Sequence, residues 1–300
     1  MLHVLDLDFH SGPRSLAGGL LDGPGGVVLV DPGPASALGG LRRGLAEHGR
    51  SVADLQAVLL THVHLDHAGA AGVLARENTR LRIFVHERGA PHLADPSKLV
   101  ASASRIYGDR MEELWGEVAP VDPARIEPLQ GGERLRVAGR DIEVAYTPGH
   151  AWHHVSYLDR ETGTACVGDV AGVRFAPSDE VIPPTPPPDI DVERWHQSLD
   201  QVAAWSPSRL LLTHFGTFDD VGSHLERVRT RLDEMAGLSR QSLEGPERDD
   251  GERMAWFRAR LRESLAARLG ADAAAAYEAA QPLEHYWQGL ARYWRRRPGR

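Results

Sequence analysis

Short apolar runs that end in turn residues alternate with stretches of helical periodicity through the first two thirds of the chain. Apolar runs bounded by glycine, proline or aspartate are typical of strands, whereas apolar residues three and four apart indicate helices. We therefore predict strands at residues 2–8, 26–30, 55–61, 81–86, 140–147, 155–159, 164–167 and 209–213. We predict helices at residues 35–48, 68–76, 100–117 and 192–205.

The pattern changes after residue 220, where it becomes helical only. Three apolar stripes follow one another, with Leu225, Phe257 and Trp287 as representative members. A proline-rich run at residues 183–188 excludes helix interior and central strand, so we expect an extended connector there. Together these features predict an α+β layered core at residues 1–217, followed by an all-helical C-terminal extension at residues 218–300.

The composition narrows the class of protein. Hydrophobic residues make up 42% and charged residues 25% of the 300 residues, which allows a sizeable core and excludes general disorder. The formal net charge of −8 shows no basic excess, so we expect neither a nucleic acid nor a membrane surface as partner. The start of the chain lacks the features of a signal peptide, and one cysteine excludes an internal disulfide. We expect a soluble, cytoplasmic protein.

A cluster of histidines and an aspartate follows the predicted strand at 55–61. His62, His64, Asp66 and His67 lie within six residues, directly after this apolar run. Imidazole and carboxylate are ligands that borderline divalent metals accept readily. His62 and His64 share one side of an extended chain, and Asp66 and His67 can point back from the first turn of the next helix. Polar residues of an ordinary surface loop would not need to follow an apolar strand so directly, so we interpret these four residues as a metal site.

Three later positions repeat one arrangement, in which an apolar strand ends in a turn that presents one metal-type ligand. These ligands are His150, Asp169 and His214. Strand ends of a layered sheet protein commonly gather at one edge, where loops build the site. With the first cluster they make five histidines and two aspartates, which is enough for two metals in a shared cage.

These motifs resemble those of the metallo-β-lactamase-fold hydrolases. The resemblance rests on Thr-His-x-His-x-Asp-His at 61–67, Thr-Pro-Gly-His at 147–150, Gly-Asp at 168–169 and Thr-His at 213–214, with Val-Asp-Pro-Gly at 30–33. It implies a four-layer αββα sandwich with the metals at one edge of two sheets. It also implies that His62, His64 and His150 bind the first metal, that Asp66, His67 and His214 bind the second, and that Asp169 bridges them. Asp31 would support the site from beside it, or serve only as a turn carboxylate.

The resemblance implies a chemistry as well. Two divalent ions, with zinc as the default and iron or manganese as alternatives, would hold a hydroxide that attacks a small ester-like substrate. We choose Asp66 as the catalytic residue that orients this hydroxide and moves a proton. Cys166 lies inside a predicted strand, so we expect a buried and inert thiol rather than a nucleophile.

Within the superfamily, the chain is most similar to glyoxalase II-type thioesterases, which share the seven ligands and a helical C-terminal part. True β-lactamases of this fold generally have cysteine where this chain has Asp169. Familiar lactonases have a tyrosine where it has Gly172. A thioesterase is therefore our first hypothesis. The alternatives are a lactonase, a persulfide dioxygenase with a single iron, and a non-catalytic metal-binding protein.

Weaker signals concern the substrate and a second copy of the chain. Arg174 and Phe175 follow the bridging aspartate closely, and we predict that they face the substrate. We expect structural or core roles for His92, Tyr107, Met111 and Trp115. His153 and His154 either lie in an exposed turn, pack on a strand, or line the substrate cleft. The aromatic set Tyr286, Trp287, Tyr293 and Trp294 either caps the fold or buries a homodimer interface.

Overall fold

Two six-stranded sheets form the centre of the computed structural model, which describes residues 1–9, 14–175, 177–244, 249–280 and 283–297. The first sheet contains β1 (Leu2–Asp6), β2 (Ala17–Gly23), β3 (Gly26–Val30), β4 (Leu55–Leu59), β5 (Arg82–His86) and β6 (Ile126–Leu129), in that spatial order. The second contains β7 (Arg134–Val137), β8 (Arg140–Tyr146), β9 (Val155–Asp159), β10 (Thr164–Cys166), β11 (Arg209–Leu212) and β12 (Gly216–Phe218), in the order β12-β11-β10-β9-β8-β7.

Both sheets are mixed. Strands β1 to β3 pair antiparallel, and β3 to β6 pair parallel. In the second sheet, β10 and β11 are parallel, whereas the other neighbouring strands are antiparallel. Parallel neighbours end at the same edge of their sheet, so the loops after β3, β4, β10 and β11 can meet and build a common site.

Three apolar layers hold the sheets and helices together. Along β3, Val27 and Leu29 pack under helices, whereas Val28 and Val30 face the opposite sheet. Cys166 on β10 lies in this inter-sheet layer, buried as expected for an inert thiol. A third layer covers the outer face of the second sheet. The order helix, sheet, sheet, helix confirms the predicted αββα sandwich and its α+β class.

The helices of the described residues divide into three groups by position. The helices at the first sheet and above the strand ends are α1 (Leu38–Glu47), α2 (Leu65–Ala68), α3 (Ala71–Glu77), α4 (Ala90–Ala94), α5 (Ser97–Tyr107) and α6 (Met111–Trp115). Helix α7 (Val192–Ala204) covers the second sheet. The C-terminal helices are α8 (Val221–Glu244), α9 (Asp250–Leu269), α10 (Ala271–Ala280) and α11 (Leu283–Arg295). No helix of the described residues combines the length and the apolar character needed to cross a membrane.

The C-terminal helices form the predicted all-helical extension, but they share a core with the sandwich. Val228 of α8 and Leu290 of α11 belong to the same apolar cluster as Leu158 and Leu212 of the second sheet. The predicted boundary at residue 217 falls inside β12. The extension, together with α7, therefore forms the layer that covers the second sheet.

Strand β2 is the main element that the hydrophobic pattern missed. Its sequence, Ala-Gly-Gly-Leu-Leu-Asp-Gly, is rich in glycine and has a low strand propensity. A Cβ atom at Gly19 would lie 2.4 Å from a methyl group of Leu211 on the opposite sheet. The glycine is needed because the two sheets approach closely here, and this tertiary constraint outweighs local propensity.

Candidate metal centre

The seven metal-type residues named from the sequence lie at one edge of the two sheets, and we call this set the metal edge. Its members are His62, His64, Asp66, His67, His150, Asp169 and His214. Their loops follow β4, β8, β10 and β11, and Asp169 lies on a short 3₁₀ turn, Gly168–Ala171. The ligand atoms form two groups, and within each group all of them lie within 4.8 Å of one another.

The first group contains three imidazoles. His62 Nε2 lies 2.9 Å from His64 Nδ1, and this atom lies 3.0 Å from His150 Nε2. Two nitrogens each about 2.0–2.1 Å from a tetrahedral ion lie roughly 3.3 Å apart, so the spacing suits one metal ion. A shared metal ion explains this spacing better than hydrogen bonds between the rings do, because two imidazole nitrogens that face each other need a proton between them.

The second group contains Asp66, His67 and His214. Asp66 Oδ2 lies 3.3 Å from His214 Nε2 and 3.8 Å from His67 Nε2. Asp169 joins the two groups through its two oxygens. Its Oδ1 lies 3.2 Å from His67 Nε2, and its Oδ2 lies 3.4 Å from His150 Nε2. The carboxylate of Asp169 therefore faces both groups at once, as a bridging ligand must.

Unpartnered polar atoms provide a direct test of whether these residues fit metal ions. His67 Nε2, His214 Nε2 and Asp169 Oδ1 are buried and have no hydrogen-bond partner within the part of the chain that the structure describes. Buried polar groups without partners cost free energy, and a metal ion would satisfy all three atoms together. Histidine nitrogens and carboxylate oxygens are donors that zinc, iron and manganese accept. The donor set therefore fits divalent metal ions.

Asp31 orients the second group through hydrogen bonds. Its Oδ2 accepts hydrogen bonds from His67 Nδ1 at 2.8 Å, from the hydroxyl of Thr61 at 2.7 Å and from that of Thr213 at 2.8 Å. Its Oδ1 accepts the backbone N–H of Thr61 at 2.8 Å. Since His67 Nδ1 carries the proton, Nε2 keeps its lone pair for a metal. Asp31 is thus a supporting residue of the site rather than only a turn carboxylate.

Other imidazoles of the metal edge are oriented in the same manner. His150 Nδ1 donates to the carbonyl of Pro184 at 2.9 Å, and His214 Nδ1 donates to that of Ser15 at 3.3 Å. His62 Nδ1 lies 3.1 Å from the hydroxyl of Thr61, which already donates to Asp31 and therefore accepts here. In each ring the nitrogen that faces the metal group is thereby left to bind a metal.

The two groups differ in their electrostatics. Burial and neighbouring imidazoles hold the pKa of His62 well below its usual range, and burial lowers the pKa of His150 to about 4. In the second group, burial opposes the charge on His67, but the Asp169 and Asp66 carboxylates raise its pKa well above the usual value. Without metal, the first group thus consists of neutral rings, whereas the second contains ion pairs.

A cavity of about 800 Å³ opens beside the metal edge. His64, Asp66, Asp169 and His214 lie on its inner side. The extended connector predicted at residues 183–188, the proline connector, forms another side of the cavity, with Pro184, Pro186, Pro187 and Pro188 among the lining residues. Asp66 has 23% of its side chain exposed against 5% for Asp169, so Asp66 is the carboxylate that a substrate can reach.

Several residues expected to have packing or structural roles also line this cavity. They are His92, His153, Tyr107 and Trp115. His154 is fully buried and shares a 2.9 Å hydrogen bond with Thr147, as a packing residue would. The sequence pattern did not reveal that Tyr107 and Trp115 line a cavity. The apolar face of α5 and α6 packs within the protein and also borders the cavity, and the pattern shows only the packing.

The prediction that Arg174 and Phe175 face the substrate is corrected by their positions, since neither is among the residues that line the cavity. The Arg174 guanidinium lies 2.7 Å from Asp220 Oδ1 and stacks on Phe218. The ring of Phe175 packs against Tyr277, with 4.9 Å between centroids. Both residues are turned toward the C-terminal helices because β12, α8 and α10, together with the turn before α8, supply their partners.

His224, which the sequence did not single out, completes a buried network behind two ligands. Its Nε2 donates to the carbonyl of Ala171 at 2.8 Å, in the turn that carries Asp169. Its Nδ1 lies 3.2 Å from Arg174 Nη1, and the backbone N–H of Arg174 donates to the carbonyl of His214 at 2.6 Å. The first C-terminal helix therefore connects the loops of Asp169 and His214, whose Oδ1 and Nε2 atoms lie 3.5 Å apart.

The aromatic residues near the C-terminus pack within the chain. Tyr286, Trp287 and Tyr293 are each less than 5% exposed, and they belong to the core shared with the second sheet. These three rings are covered by the chain's own residues and cap the fold, and a homodimer stays a prediction.

The comparison with family models agrees with this site. A model described as the metallo-beta-lactamase superfamily matches residues 17–214, which is more than half of the chain and includes every residue of the metal edge. The chain belongs to the metallo-beta-lactamase superfamily, which confirms the resemblance inferred from its motifs. Membership and the His/Asp groups together support a metal-dependent hydrolase.

The alignments with individual relatives cover only part of each relative's length. The chain is 30% identical to the metallo-beta-lactamase fold-containing protein ST1585 of Sulfurisphaera tokodaii over 165 residues, which are 54% of this chain and 61% of that protein. It is 29% identical to a hydroxyacylglutathione hydrolase of a Synechococcus species over 143 residues, which are 48% of this chain and 43% of that enzyme. The chain thus spans less than two thirds of these relatives.

Solved structures extend the likeness over nearly the whole chain. The metallo-beta-lactamase family protein TTHA1429 from Thermus thermophilus has a TM-score of 0.72 at 24% identity, covering 98% of this chain and 93% of that one. The crystal structure of ST1585 has a TM-score of 0.66 at 24% identity, covering 96% and 97%. At this level of identity, the likeness shows a shared fold.

Proposed function

We propose that this protein hydrolyses an acyl thioester of a small thiol with the help of two divalent metal ions, zinc in the first instance. The observation that carries the proposal is the placement of the Asp169 carboxylate between two groups of ligands at the inner side of an open cavity. Metal ions bound there would lower the pKa of a water and polarise the substrate carbonyl.

The residues of the chain supply orientation and proton transfer. Asp66 borders the cavity, and its Oδ2 lies 3.3 Å from His214 Nε2. The His67 and His214 rings outweigh its burial and lower the pKa of Asp66 to about 2, so it is a carboxylate ready to accept a hydrogen bond. Asp66 would orient the attacking water and take up its proton.

Two observations favour a thioester over a lactone. A thiolate leaves with little help from an acid, so no further proton donor is required. A side chain at Gly172, where familiar lactonases have tyrosine, would find no space. A Cβ there would lie 2.7 Å from Val181, and the φ angle of +76° is unfavourable for residues other than glycine. The similarity to a hydroxyacylglutathione hydrolase points in the same direction.

The test is kcat/KM on matched thioester and lactone substrates, with zinc, manganese or iron supplied and the bound metal quantified. We expect thioesters to be preferred and activity to follow metal content up to two equivalents. Preference for lactones would replace the proposed substrate class. Oxygen consumption with a persulfide would indicate a dioxygenase, and metal binding without turnover would indicate a non-catalytic protein.

A further inference from the structure

The outer side of the cavity is formed by residues of α5 and α6, which we call the helical wall. Its members are Leu99, Ala103, Ile106, Tyr107, Leu114 and Trp115. These side chains are apolar or aromatic, and Lys98, Ser102 and Arg110 line the cavity next to them. Phe9 extends the wall, since its ring stacks on Trp115 with 5.8 Å between centroids. The helical wall therefore offers an apolar surface within the same cavity as the metal edge.

Trp115 differs from the other buried tryptophans of the described chain. The indole N–H of Trp195 donates to a backbone carbonyl at 2.7 Å, and that of Trp287 donates to Ser242 at 2.8 Å. Trp115 is only 7% exposed, yet its Nε1–H has no hydrogen-bond partner among the described residues. A buried indole normally finds an acceptor. Nε1 is covered in this structure, and because Trp115 borders the cavity, a ligand that turns the ring slightly can supply one.

Ile106 indicates the character of that molecule. Of the large hydrophobic side chains that the structure describes, only Met1 and Ile106 are exposed, and Ile106, at 38%, borders the cavity. An exposed apolar residue at the edge of an apolar cavity gains free energy when an apolar ligand covers it. The ligand should therefore be apolar along the helical wall and should carry an acceptor for Trp115.

From this arrangement we infer that the helical wall binds the acyl part of the substrate, and that this acyl part is an apolar chain with a hydrogen-bond-accepting oxygen beyond the scissile carbonyl. The inference rests on the proposed thioester hydrolysis and specifies its substrate. Trp115 Nε1–H donates to the distal oxygen, while Tyr107, whose ring lies 5.0 Å from that of Trp115, packs against the chain. The thiol part then lies along the proline connector and the start of α11, where Asp189 and His285 border the cavity.

The test pairs a substrate change with a protein change. Hexanoyl thioesters of one small thiol are compared with their 3-oxo, 4-oxo and 5-oxo derivatives, using the metal-loaded wild type and Trp115→Phe. The variant keeps an aromatic ring and loses the N–H. We expect Trp115→Phe to lower kcat/KM by about tenfold for at least one oxo derivative and by less than about twofold for the hexanoyl thioester. Equal losses for all four substrates would overturn the inference.

Two further variants guard against a general effect of mutation. Trp256→Phe, on α9 and outside the cavity lining, should leave every ratio unchanged. Ile106→Ser should lower kcat/KM for hexanoyl but not for acetyl thioesters, because only the longer chain reaches the rim. An equal loss for acetyl and hexanoyl thioesters would contradict an acyl site at the helical wall.

Binding measurements separate this inference from the proposed reaction. If the wild type hydrolyses none of these thioesters, the reaction proposal fails, and calorimetry with hexanoate and its oxo derivatives then tests the site directly. Tighter binding of one oxo acid to the wild type than to Trp115→Phe would support the acyl site without the reaction. Binding that does not distinguish the two proteins would overturn it.

Discussion

The metal edge and the helical wall border one cavity but are built in opposite ways. In the metal edge, each of His62, His67, His150 and His214 has a partner for the ring nitrogen that faces away from the metal group. In the helical wall, Trp115 has no partner for its buried N–H among the described residues. The protein holds the rings of the metal edge through one nitrogen and leaves the other nitrogen for a metal. In the helical wall, it leaves the indole N–H for a ligand.

The difference follows from the elements that carry each region. The metal edge lies on loops anchored by strands of both sheets, and the network of Asp31 and His224 connects these loops. The helical wall lies on two helices that pack through a small apolar cluster of their own. A precise arrangement of ligands needs the rigid support of the sheets, while a surface for an apolar substrate tolerates more variation.

The largest expected effect lies at the bridge of the metal edge. Asp169→Ala removes the carboxylate that both ligand groups share, so we expect the loss of at least one metal equivalent and a fall in kcat/KM on the order of a thousandfold. Elemental analysis and thioester kinetics measure the two effects. Asp200→Ala, which removes an exposed carboxylate on α7, should change neither. Full metal content and a normal rate in Asp169→Ala would rule out the bridging role.

A smaller effect is expected from the support beneath the second group. Asp31 has a φ angle of +48°, which asparagine adopts readily, so Asp31→Asn changes the charge with little backbone strain. The amide holds His67 less firmly, and we expect metal affinity at the second group to fall by about 10–100-fold. Titration of the metal-free protein with zinc in the presence of a competing chelator measures this. Asp141→Asn, an exposed carboxylate, is the control.

The network behind the ligands should contribute to stability. His224→Gln disturbs the hydrogen bond to the Ala171 carbonyl and the contact with Arg174, both of which are buried. We expect the free energy of unfolding to fall by about 1–3 kcal/mol. Urea denaturation of the metal-free protein measures it, with His196→Gln as a control at a partly exposed position. An unchanged midpoint would mean that the network does not stabilise these loops.

The same pair of proteins makes a prediction about pH. Burial lowers the pKa of His224 from 6.5 to about 4, so the folded protein keeps this ring neutral while the unfolded chain takes up a proton below 6.5. The stability that His224 contributes is therefore present above pH 6.5 and is lost as the pH falls toward 4. We expect the advantage of wild type over His224→Gln to shrink by at most about 1.4 kcal/mol per pH unit. An advantage that grows on acidification would indicate a charged ring in the folded state.

The smallest expected effect is at Phe175, which packs on Tyr277 outside the cavity. Phe175→Leu should change KM by less than about twofold, because the residue lines neither the metal edge nor the helical wall. Steady-state kinetics on the best thioester tests this, with Ile106→Ser as the comparison from the helical wall. If Phe175→Leu raised KM as much as Ile106→Ser does, Phe175 would contact the substrate.

The amino-acid sequence by itself determined the α+β layered core and the seven residues of the metal edge, and the resemblance of its motifs implied the four-layer sandwich. Metal ligands had a recognisable chemistry and a fixed relation to strand ends, as in His62 and His64 after β4. The compact apolar run of a buried strand such as β3 was equally local. Both signals survive in the sequence because strand patterning and ligand spacing are set over a few neighbouring residues.

Only the tertiary structure decided which other residues serve the site. Asp31 and Thr213 are 182 positions apart, and His224 and Ala171 are 53 apart, so no local pattern connects them. Arg174 is close to Asp169 in sequence but turns toward Asp220. Trp115 had the spacing of a core residue, and its unpartnered N–H became visible only when α6 was placed against the cavity. Hydrogen-bond partners are chosen by distance in space, which the chain sets only after its layers have packed together.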